Sequence, residues 1–305
     1  MDKKYWIDTD VGDDIDDMFA ILLAANGGLP LAGVSTVFRN SLRRAKMTRY
    51  LLGFTAQKDI PVYAGIDDPL VQSVANIFPP EMLDKEIRNG EYFLPQWNDE
   101  IDGERVSKVH AVDALIEAAE KSELTLFAIG PLTNIAVAMR KAPESMKRLK
   151  KIVLIGGIYD ERQPEWNIAC DPEAAHIVFS FGVPVYAMGA EVVRKCPLTQ
   201  QMQERFADMG KLGKVITEFL DQWNGHYGVR QPILYDTLAI ASELGVKTEY
   251  ELTYVRVGLM GDNDDRYLTL ASPEQKGGYY PVHVCRSFDY DAWQNLMINT
   301  VKKTP

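Results

Sequence analysis

The feature that most constrains the fold is an alternation of short apolar segments with amphipathic segments of helical length. Along the first part of the chain these segments are KYWID (4–8), DDMFAILLAAN (16–26), LAGVSTV (31–37), SLRRAKMTRYLLGFTAQ (41–57) and IPVYAG (60–65). The same rhythm resumes from HAVDALIEAAEKS (110–122) to VPVYAMG (183–189). Strands that alternate with helices form parallel sheets with right-handed crossovers. The sequence therefore predicts an α/β protein with a mainly parallel central sheet and helices on both faces.

Two stretches interrupt this alternation. Residues 67–108 are rich in proline, asparagine, aspartate and aromatic residues, a composition that predicts an insertion or lid. Residues 198–246 have a helical pattern that is broken at WNGHYGVRQP (223–232), which we expect to be a mobile loop. The chain shows no internal repeat and no convincing linker, so residues 1–305 are predicted to form a single large domain.

Charge and cysteine content exclude several classes of protein. The formal net charge is −10, which disfavours nucleic acid as the main partner because phosphate binding needs basic surfaces. Basic clusters such as Arg43-Arg44-Ala45-Lys46 are interpreted as solvated helix faces. The three cysteines lack CxxC spacing, so we expect neither a disulfide framework nor a zinc site. No secretory signal or membrane-spanning run is recognisable, so we expect a cytoplasmic protein without membrane contact.

The segment IDTDVGDDIDD (7–17) places six aspartates between a predicted strand and a predicted helix. One or two aspartates suffice to cap a helix and complement its dipole. Additional carboxylates repel each other and raise each other's pKa unless a cation relieves the repulsion. The surplus of aspartates therefore predicts a cation site.

Other polar residues also follow predicted strands, at the edge where open parallel sheets bind ligands. Asp10, Asp17, a backbone carbonyl and the distant Asp236 would form a site of oxygen ligands, which favours Ca²⁺ or Mg²⁺. The alternative for Asp236 is a helix N-cap, the interpretation ordinarily preferred for a single aspartate before TLAIA. Thr133-Asn134 is interpreted as a helix cap.

A second interpretation of the aspartates is a phosphatase. Asp8-Thr9-Asp10-Val11 fits the DxDx(T/V) nucleophile loop of haloacid-dehalogenase-like phosphatases. That chemistry would need an acidic pair after a later strand, where this chain has Gly156-Gly157. The phosphatase is therefore the less favoured alternative.

The segment IDTDVGDDIDDMFAILLAA resembles the N-terminal motif DxDxGxDDAxAL of the inosine-uridine-preferring nucleoside hydrolase family. Further segments resemble the family in the same order along the chain. They are STVFRN (35–40), similar to the family's TTVxGN, PVYAGIDDPL (61–70), HAVDALI (110–116), AIGPLTNIAVA (128–138), VLIGGIY (153–159), EWNIACDPEAAHIVF (165–179) and LYDTLAIA (234–241). The ordered set is specific, although no single segment would be.

The resemblance implies a Rossmann-like nucleoside hydrolase fold and cleavage of the N-glycosidic bond of small-molecule ribonucleosides. It also implies a bound Ca²⁺ and assembly as a homodimer or homotetramer. By position in the motifs, the metal ligands would be Asp10, Asp17, the carbonyl of Ile129 and Asp236. The residues that hold the ribose would be Asn40, Glu165 and Asn167. Hydroxyl-binding side chains of this kind orient the sugar for attack.

This chain departs from the family pattern at positions that matter for chemistry. The aspartate loop is two residues longer, so Asp16 aligns with the catalytic base while Asp14 remains a rival. Tyr235 stands where the family usually has a histidine that protonates the leaving base. Its ring could stack on the base instead, which favours purine nucleosides over uridine. His226 is a candidate leaving-group acid or base-stacking residue, and an exposed loop histidine is an equal interpretation.

The missing histidine also supports a different class of function. A ribose- or nucleoside-binding protein without catalysis could keep the same scaffold and the same sugar-binding residues. We therefore expect a calcium-dependent ribonucleoside hydrolase, with the binding protein as the alternative.

Overall fold

The computed structural model describes residues 1–71, 87–88, 91–228, 231–259 and 263–301. Within them, nine strands form one sheet and two short strands form a separate hairpin. In chain order the strands are β1 Lys3–Thr9, β2 Leu31–Thr36, β3 Val62–Ala64, β4 Ile87–Arg88, β5 Glu91–Tyr92, β6 Glu123–Ala128, β7 Lys151–Ile155, β8 Val185–Met188, β9 Thr248–Val257, β10 Thr269–Ser272 and β11 Tyr280–Phe288. The strand order across the sheet is β10-β9-β11-β8-β7-β6-β1-β2-β3, and β4 pairs with β5.

Helices connect the strands. In chain order they are α1 Asp16–Asn26, α2 Ser41–Leu52, α3 Asp99–Asp102, α4 Ala111–Lys121, α5 Thr133–Lys141, α6 Pro143–Met146, α7 Trp166–Cys170, α8 Pro172–Ser180, α9 Ala190–Val193, α10 Gln200–Ala207, α11 Gly210–Tyr227, α12 Thr237–Glu243 and α13 Tyr290–Thr300. The predicted alternation of strands and helices is confirmed, with most predicted strands ending within two residues of the observed ones.

The sheet is parallel from β3 through β1 and β6 to β8 and β11. Only β9 and β10, at one edge, pair antiparallel with their neighbours. Successive side chains of a strand point to opposite faces of the sheet. Accordingly Ile7 packs in one core with α1 and α11, whereas Trp6 packs in a second core with α4 and α5. The predicted single α/β domain with helices on both faces is thus confirmed.

The predicted mobile loop begins too early. Residues 223–227 are helical and form the end of α11. The buried side chains of this helix include Phe219, Leu220 and Trp223. The helix ends only at Gly228, whose φ of 68° is left-handed and gives a favourable glycine C-cap. Residues 229–230 of the predicted loop lie outside the described residues.

The predicted insertion at 67–108 is described only in part, because residues 72–86 and 89–90 lie outside the described residues. Its second half packs on the body of the protein. Leu94, Gln96 and Ile101 are buried, and the side-chain amide of Gln96 donates to the carbonyl of Asp14 over 2.7 Å. This half of the insertion therefore supports the aspartate loop. That the insertion covers the site as a lid stays a prediction.

Candidate active site

The carboxyl ends of β1, β6 and β7 open into one cavity of about 400 Å³. Its walls combine carboxylates, aromatic rings and apolar side chains. The lining residues are Asp10, Asp13, Asp14, Asp16, Asp17, Ile129, Ile155, Gly156, Ile158, Pro164, Glu165, Trp166, Asn167, Met188, Ala190, Val193, Arg194, Tyr227, Tyr235 and Asp236. Ligands of open α/β sheets bind at this edge. The structure brings together every predicted site residue except Asn40 and His226.

Residues 10–17, which we call the acidic loop, form the floor of the cavity. Gly12 has a φ of 120°, a conformation that suits glycine, so the chain can turn sharply after Asp10. The hydroxyl of Thr9 donates to the carboxylate of Asp17 and accepts from the backbone N–H of Val11. These contacts fix the aspartates over the start of α1, where the helix dipole favours negative charge.

Arg44 holds the acidic loop from below, although its sequence neighbourhood had predicted a solvated helix face. Its side chain is completely buried. The guanidinium donates to the carbonyls of Asp10 and Val11 and to the carboxylate of Asp13, the last over 2.8 Å. The prediction of a solvated face is wrong for this residue, because the longer loop offers carbonyls and a carboxylate that only a buried donor satisfies.

Three carboxylates meet on the cavity floor. Asp16, Asp17 and Asp236 are buried, and each offers an oxygen within 4.8 Å of the others, a group that could hold a metal ion. The backbone N–H of Asp236 donates to Asp16 over 3.2 Å. The Asp236 side chain makes no capping hydrogen bond to α12, so a helix cap does not account for its burial.

The pKa values of these carboxylates reflect burial first and mutual repulsion second. Burial raises the pKa of Asp16 and Asp236 well above the ordinary range, and the neighbouring aspartates raise them further. Burial also raises the pKa of Asp17 to about 7, against the hydrogen bond from Thr9. Ionising all of these buried carboxylates is unfavourable because of desolvation and mutual repulsion, and a bound cation would offset both.

Asp10 and Ile129 complete the predicted ligand set in the same cavity. Burial and the charge of Asp17 raise the pKa of Asp10, while the charge of Arg44 lowers it. Asp10 lies outside the tight group of three carboxylates. The carbonyl of Ile129 accepts a hydrogen bond of 3.4 Å from the side-chain amide of Asn167.

Glu165 and Asn167 form the opposite wall. The carboxylate of Glu165 accepts from the backbone N–H groups of Gly157, Asn167 and Ile168 at 2.9–3.1 Å. Asn167 donates to the carbonyl of Ile155 over 3.1 Å. Both side chains are therefore fixed by backbone before any ligand binds, which is what preorganised sugar recognition requires.

Asn40 does not line the cavity. Its backbone is left-handed, with a φ of 56°, and its carbonyl accepts from the backbone N–H groups of Arg43 and Arg44 in the first turn of α2. The residue therefore shapes the turn after β2, and its role as a ribose ligand stays a prediction.

His226 also lies outside the cavity wall. Its ring packs against Phe93 at 5.6 Å and Tyr227 at 4.6 Å between ring centroids. The helix continues through this position, and its rotation brings Tyr227 to the cavity instead. The alternative of an exposed loop histidine is wrong, because the residue lies in a helix, and contact of His226 with the base stays a prediction. Tyr227 is the cavity residue that the sequence alone did not indicate.

Aromatic rings surround the upper part of the cavity. Tyr227 and Tyr235 line it, and both also line an adjoining recess with Trp223. Asp14 lies at the junction of cavity and recess. Burial raises the pKa of Asp14 to about 6. Asp14 thus lies on the aromatic side of the cavity, whereas Asp16 lies among the carboxylates of the floor.

The cavity at the strand ends combines buried carboxylates, the fixed polar side chains of Glu165 and Asn167, and aromatic rings. This combination suits a small polar ligand that has an aromatic part. The sequence model of the family described as "Inosine-uridine preferring nucleoside hydrolase" matches residues 5–295. The chain belongs to this family. It is a ribonucleoside hydrolase, an N-glycosidase, and the phosphatase and the non-catalytic binding protein are not supported.

Individual proteins are similar to this chain over most of their length. An uncharacterized protein of Schizosaccharomyces pombe is 34% identical over 229 residues, which make up 71% of each chain. A pyrimidine-specific ribonucleoside hydrolase of Escherichia coli is 32% identical over 266 residues, 81% of each chain. The solved structure of a purine-preferring ribonucleoside hydrolase from Gardnerella vaginalis has a TM-score of 0.82 at 24% identity and covers 98% of both chains. That last likeness shows the fold.

Across the described residues, no helix is long and apolar enough to cross a membrane. The cytoplasmic location and the assembly as a homodimer or homotetramer stay predictions from the sequence.

Proposed function

We propose that this enzyme hydrolyses purine ribonucleosides to ribose and free base with the help of a bound Ca²⁺. The observation that carries the proposal is the group of buried carboxylates at the floor of a cavity with aromatic upper walls. Carboxylates whose charge is not balanced by nearby positive groups can bind a divalent cation, and aromatic rings can stack on a nucleobase.

The donor set supports calcium. Asp10, Asp17, Asp236 and the carbonyl of Ile129 all line the cavity and offer only oxygen atoms, the ligands that Ca²⁺ takes. Of the three grouped carboxylates, we assign Asp17 and Asp236 to the ion and Asp16 to the reaction, and Asp10 and the carbonyl of Ile129 would complete the ligand set. When bound, calcium supplies positive charge that orients the ribose hydroxyls and favours the ionised form of the attacking water.

Asp16 is our proposed base. One of its carboxylate oxygens accepts from the backbone N–H of Asp236, and the other remains for the proton of the attacking water. Burial raises its pKa, and a carboxylate with a raised pKa is a stronger base. Asp14 would instead face the base, because it lies among the aromatic residues of the recess.

The sugar is held by Glu165 and Asn167. Water attacks C1′ as the bond to the base breaks, through an oxocarbenium-like transition state such as glycoside hydrolysis generally uses. The fixed carboxylate and amide would orient the ribose so that C1′ faces the water beside Asp16. The 2′- and 3′-hydroxyls would lie towards the acidic floor.

The base is proposed to stack on Tyr235, with Tyr227 on the same side of the cavity. Burial raises the pKa of Tyr235 to about 12, so its phenol is a poor proton donor at neutral pH. A flat ring still contributes stacking, which is worth roughly 1–3 kcal/mol per base in nucleic-acid proteins. A purine offers the larger face. The named relatives differ in their base preference, one being pyrimidine-specific and one purine-preferring, so the aromatic residues of this chain carry the proposal.

The test is an assay of purified protein with inosine, guanosine, adenosine, uridine and cytidine, with and without a calcium chelator. We expect release of ribose and free base, faster with the purine nucleosides, and loss of activity on chelation that added calcium restores. Faster hydrolysis of uridine and cytidine would contradict the purine preference. Full activity in the presence of chelator would contradict the role of calcium.

A further inference from the structure

The chain lacks the histidine that its family pattern places before the last metal ligand, and Tyr235 occupies that position. His226 does not reach the cavity in its place. The departing base carries an electron pair into its ring when the glycosidic bond breaks. Some group of this chain must therefore stabilise that charge.

Arg194 is a cation on the cavity wall that the chemistry described so far does not use. It directly follows the short helix α9 (Ala190–Val193), and it lines the cavity together with Tyr235 and Glu165. In the part of the chain that the structure describes, its guanidinium makes no hydrogen bond or ion pair, and the residue is exposed. Arg44 and Arg286, in contrast, are held by carboxylates.

The charge of Arg194 acts on the residues proposed to hold both ends of the substrate. The positive charge of Arg194 lowers the pKa of Tyr235, the proposed stacking residue, and also that of Glu165, the proposed ribose ligand, although burial outweighs it in both. Because Arg194 and Tyr235 line the same cavity, a base stacked on Tyr235 can present one edge to the guanidinium.

We propose that Arg194 binds the N7 and O6 edge of a 6-oxopurine and stabilises the leaving base, which makes inosine and guanosine the preferred substrates. The inference rests on the proposed purine nucleoside hydrolysis. A guanidinium is a planar fork of donors that pairs with these two acceptors in a bidentate manner. Adenosine has an amino group in place of O6 and offers one acceptor fewer.

The reaction then balances without an acidic side chain at the base. The C1′–N9 bond breaks, its electron pair enters the purine ring, and the oxygen of water bonds to C1′. Asp16 takes the proton of that water and later releases it to solvent. The purine leaves as an anion whose charge is spread towards N7 and O6, and it takes a proton from solvent after departure. Arg194 keeps its proton throughout, because a guanidinium does not deprotonate in proteins.

The experiment compares Arg194→Gln and Arg194→Lys with the wild type on inosine, adenosine and 4-nitrophenyl riboside, whose leaving group needs no such help. Arg194→Gln should lower kcat for inosine by about 10²-fold, the usual loss on removal of one donor to a developing anion. It should lower the rate with the nitrophenyl riboside far less, and it should narrow the preference for inosine over adenosine. Arg194→Lys, which keeps the charge without the fork, should recover part of the inosine activity.

Lys195→Gln is the matched control, because it removes a neighbouring exposed positive charge from a residue outside the cavity wall. It should leave all three activities unchanged. Equal losses with inosine and the nitrophenyl riboside in Arg194→Gln, or no loss with either, would overturn the role of Arg194 while nucleoside hydrolysis stands. A wild-type enzyme inactive on all three substrates would overturn both proposals.

Discussion

The guanidinium of Arg44 donates to the carboxylate of Asp13 over 2.8 Å and joins helix α2 to the acidic loop. The same group also donates to the carbonyls of Phe38 and Arg39 at the end of β2. Phe38, Arg39 and Asn40 all have left-handed backbone, with φ values of 68°, 39° and 56°. Non-glycine residues in this region cost free energy, so the turn needs a partner that fixes it. Arg44 therefore couples the turn after β2 to the acidic loop, which carries the aspartates proposed to act in catalysis.

We expect Arg44→Met to lower the free energy of unfolding by about 3–5 kcal/mol, because it removes one member of a buried ion pair and leaves the loop carbonyls unsatisfied. Urea unfolding followed by circular dichroism measures the change. Arg43→Met is the matched control one position earlier, where the guanidinium lies over the ring of Trp97. Arg43→Met should lower the free energy of unfolding by at most about 1 kcal/mol, the value of an exposed cation–π contact. Equal effects of the two variants would contradict the structural role of Arg44.

Asp236 provides the test of the metal site. Asp236→Ala should remove bound calcium and nearly all activity, because a neutral side chain cannot replace a carboxylate ligand. Asp236→Asn keeps the shape and one oxygen and should bind calcium weakly. Elemental analysis of the purified variants, together with calorimetric titration of calcium, gives the result. Asp10→Ala should behave in the same way. Undiminished calcium in either alanine variant would show that the ligand assignment is wrong.

The two candidates for the base are distinguished by a pair of variants. Asp16→Asn should slow kcat by several orders of magnitude while KM and calcium content change much less, because the variant removes the proton acceptor and keeps the volume. Asp14→Asn should mainly change KM and base preference, since Asp14 lies beside Trp223 and Tyr227. If Asp14→Asn abolishes kcat and Asp16→Asn does not, the alignment of the longer loop is shifted by two residues.

The general fold and the floor of the site follow from local sequence. Period-two and helical apolar patterns place the strands and helices, and parallel strands bring their carboxyl ends to one edge. Asp10, Asp17, Glu165, Asn167 and Asp236 are therefore found in the cavity by position alone.

The parts that sequence could not give depend on tertiary contacts. Arg44 lies in a run of basic residues that is typical of an exposed helix, and its burial is explained by the carbonyls and the carboxylate of the distant acidic loop. Asn134, interpreted as a helix cap, instead donates to Asp8 and to the carbonyl of Thr36 and links the ends of β1 and β2. The face of α11 that is buried carries Phe219, Leu220 and Trp223, and with this orientation Tyr227 rather than His226 lines the cavity. None of these contacts leaves a periodic signal.

The calcium-free protein should lose stability as the pH rises. Burial raises the pKa of Asp8 and of Asp17 to about 7, far above the value of about 3.9 in an unfolded chain. The folded protein therefore holds these protons more tightly than the unfolded chain does. Their contribution is complete below a pH of about 4 and is lost as the pH rises through about 7. Thermal unfolding in chelator should show a lower Tm at pH of about 8 than at about 5.

Calcium should reverse much of this loss, because an ion that binds only the folded state stabilises it by mass action. Asp8→Asn is the matching variant, since one oxygen of Asp8 is buried without a hydrogen-bond partner among the described residues. It should weaken the pH dependence without removing the calcium response. If the chelated wild type has the same Tm at both pH values, the raised pKa values of Asp8 and Asp17 do not contribute to the stability of the folded protein.

The last prediction concerns Tyr235, which immediately precedes the proposed ligand Asp236 and lines both the cavity and its recess. Its ring can stack on a base, whereas its hydroxyl, with a pKa of about 12, is a poor acid. Tyr235→Phe should thus retain most of the activity with inosine. Tyr235→Ala should lower kcat/KM by about 10-fold or more, since stacking is worth roughly 1–3 kcal/mol per base. Steady-state kinetics with inosine and uridine measures both, and the loss should be larger for the purine. If Phe is as damaging as Ala, the hydroxyl takes part in the reaction and stacking does not explain the residue.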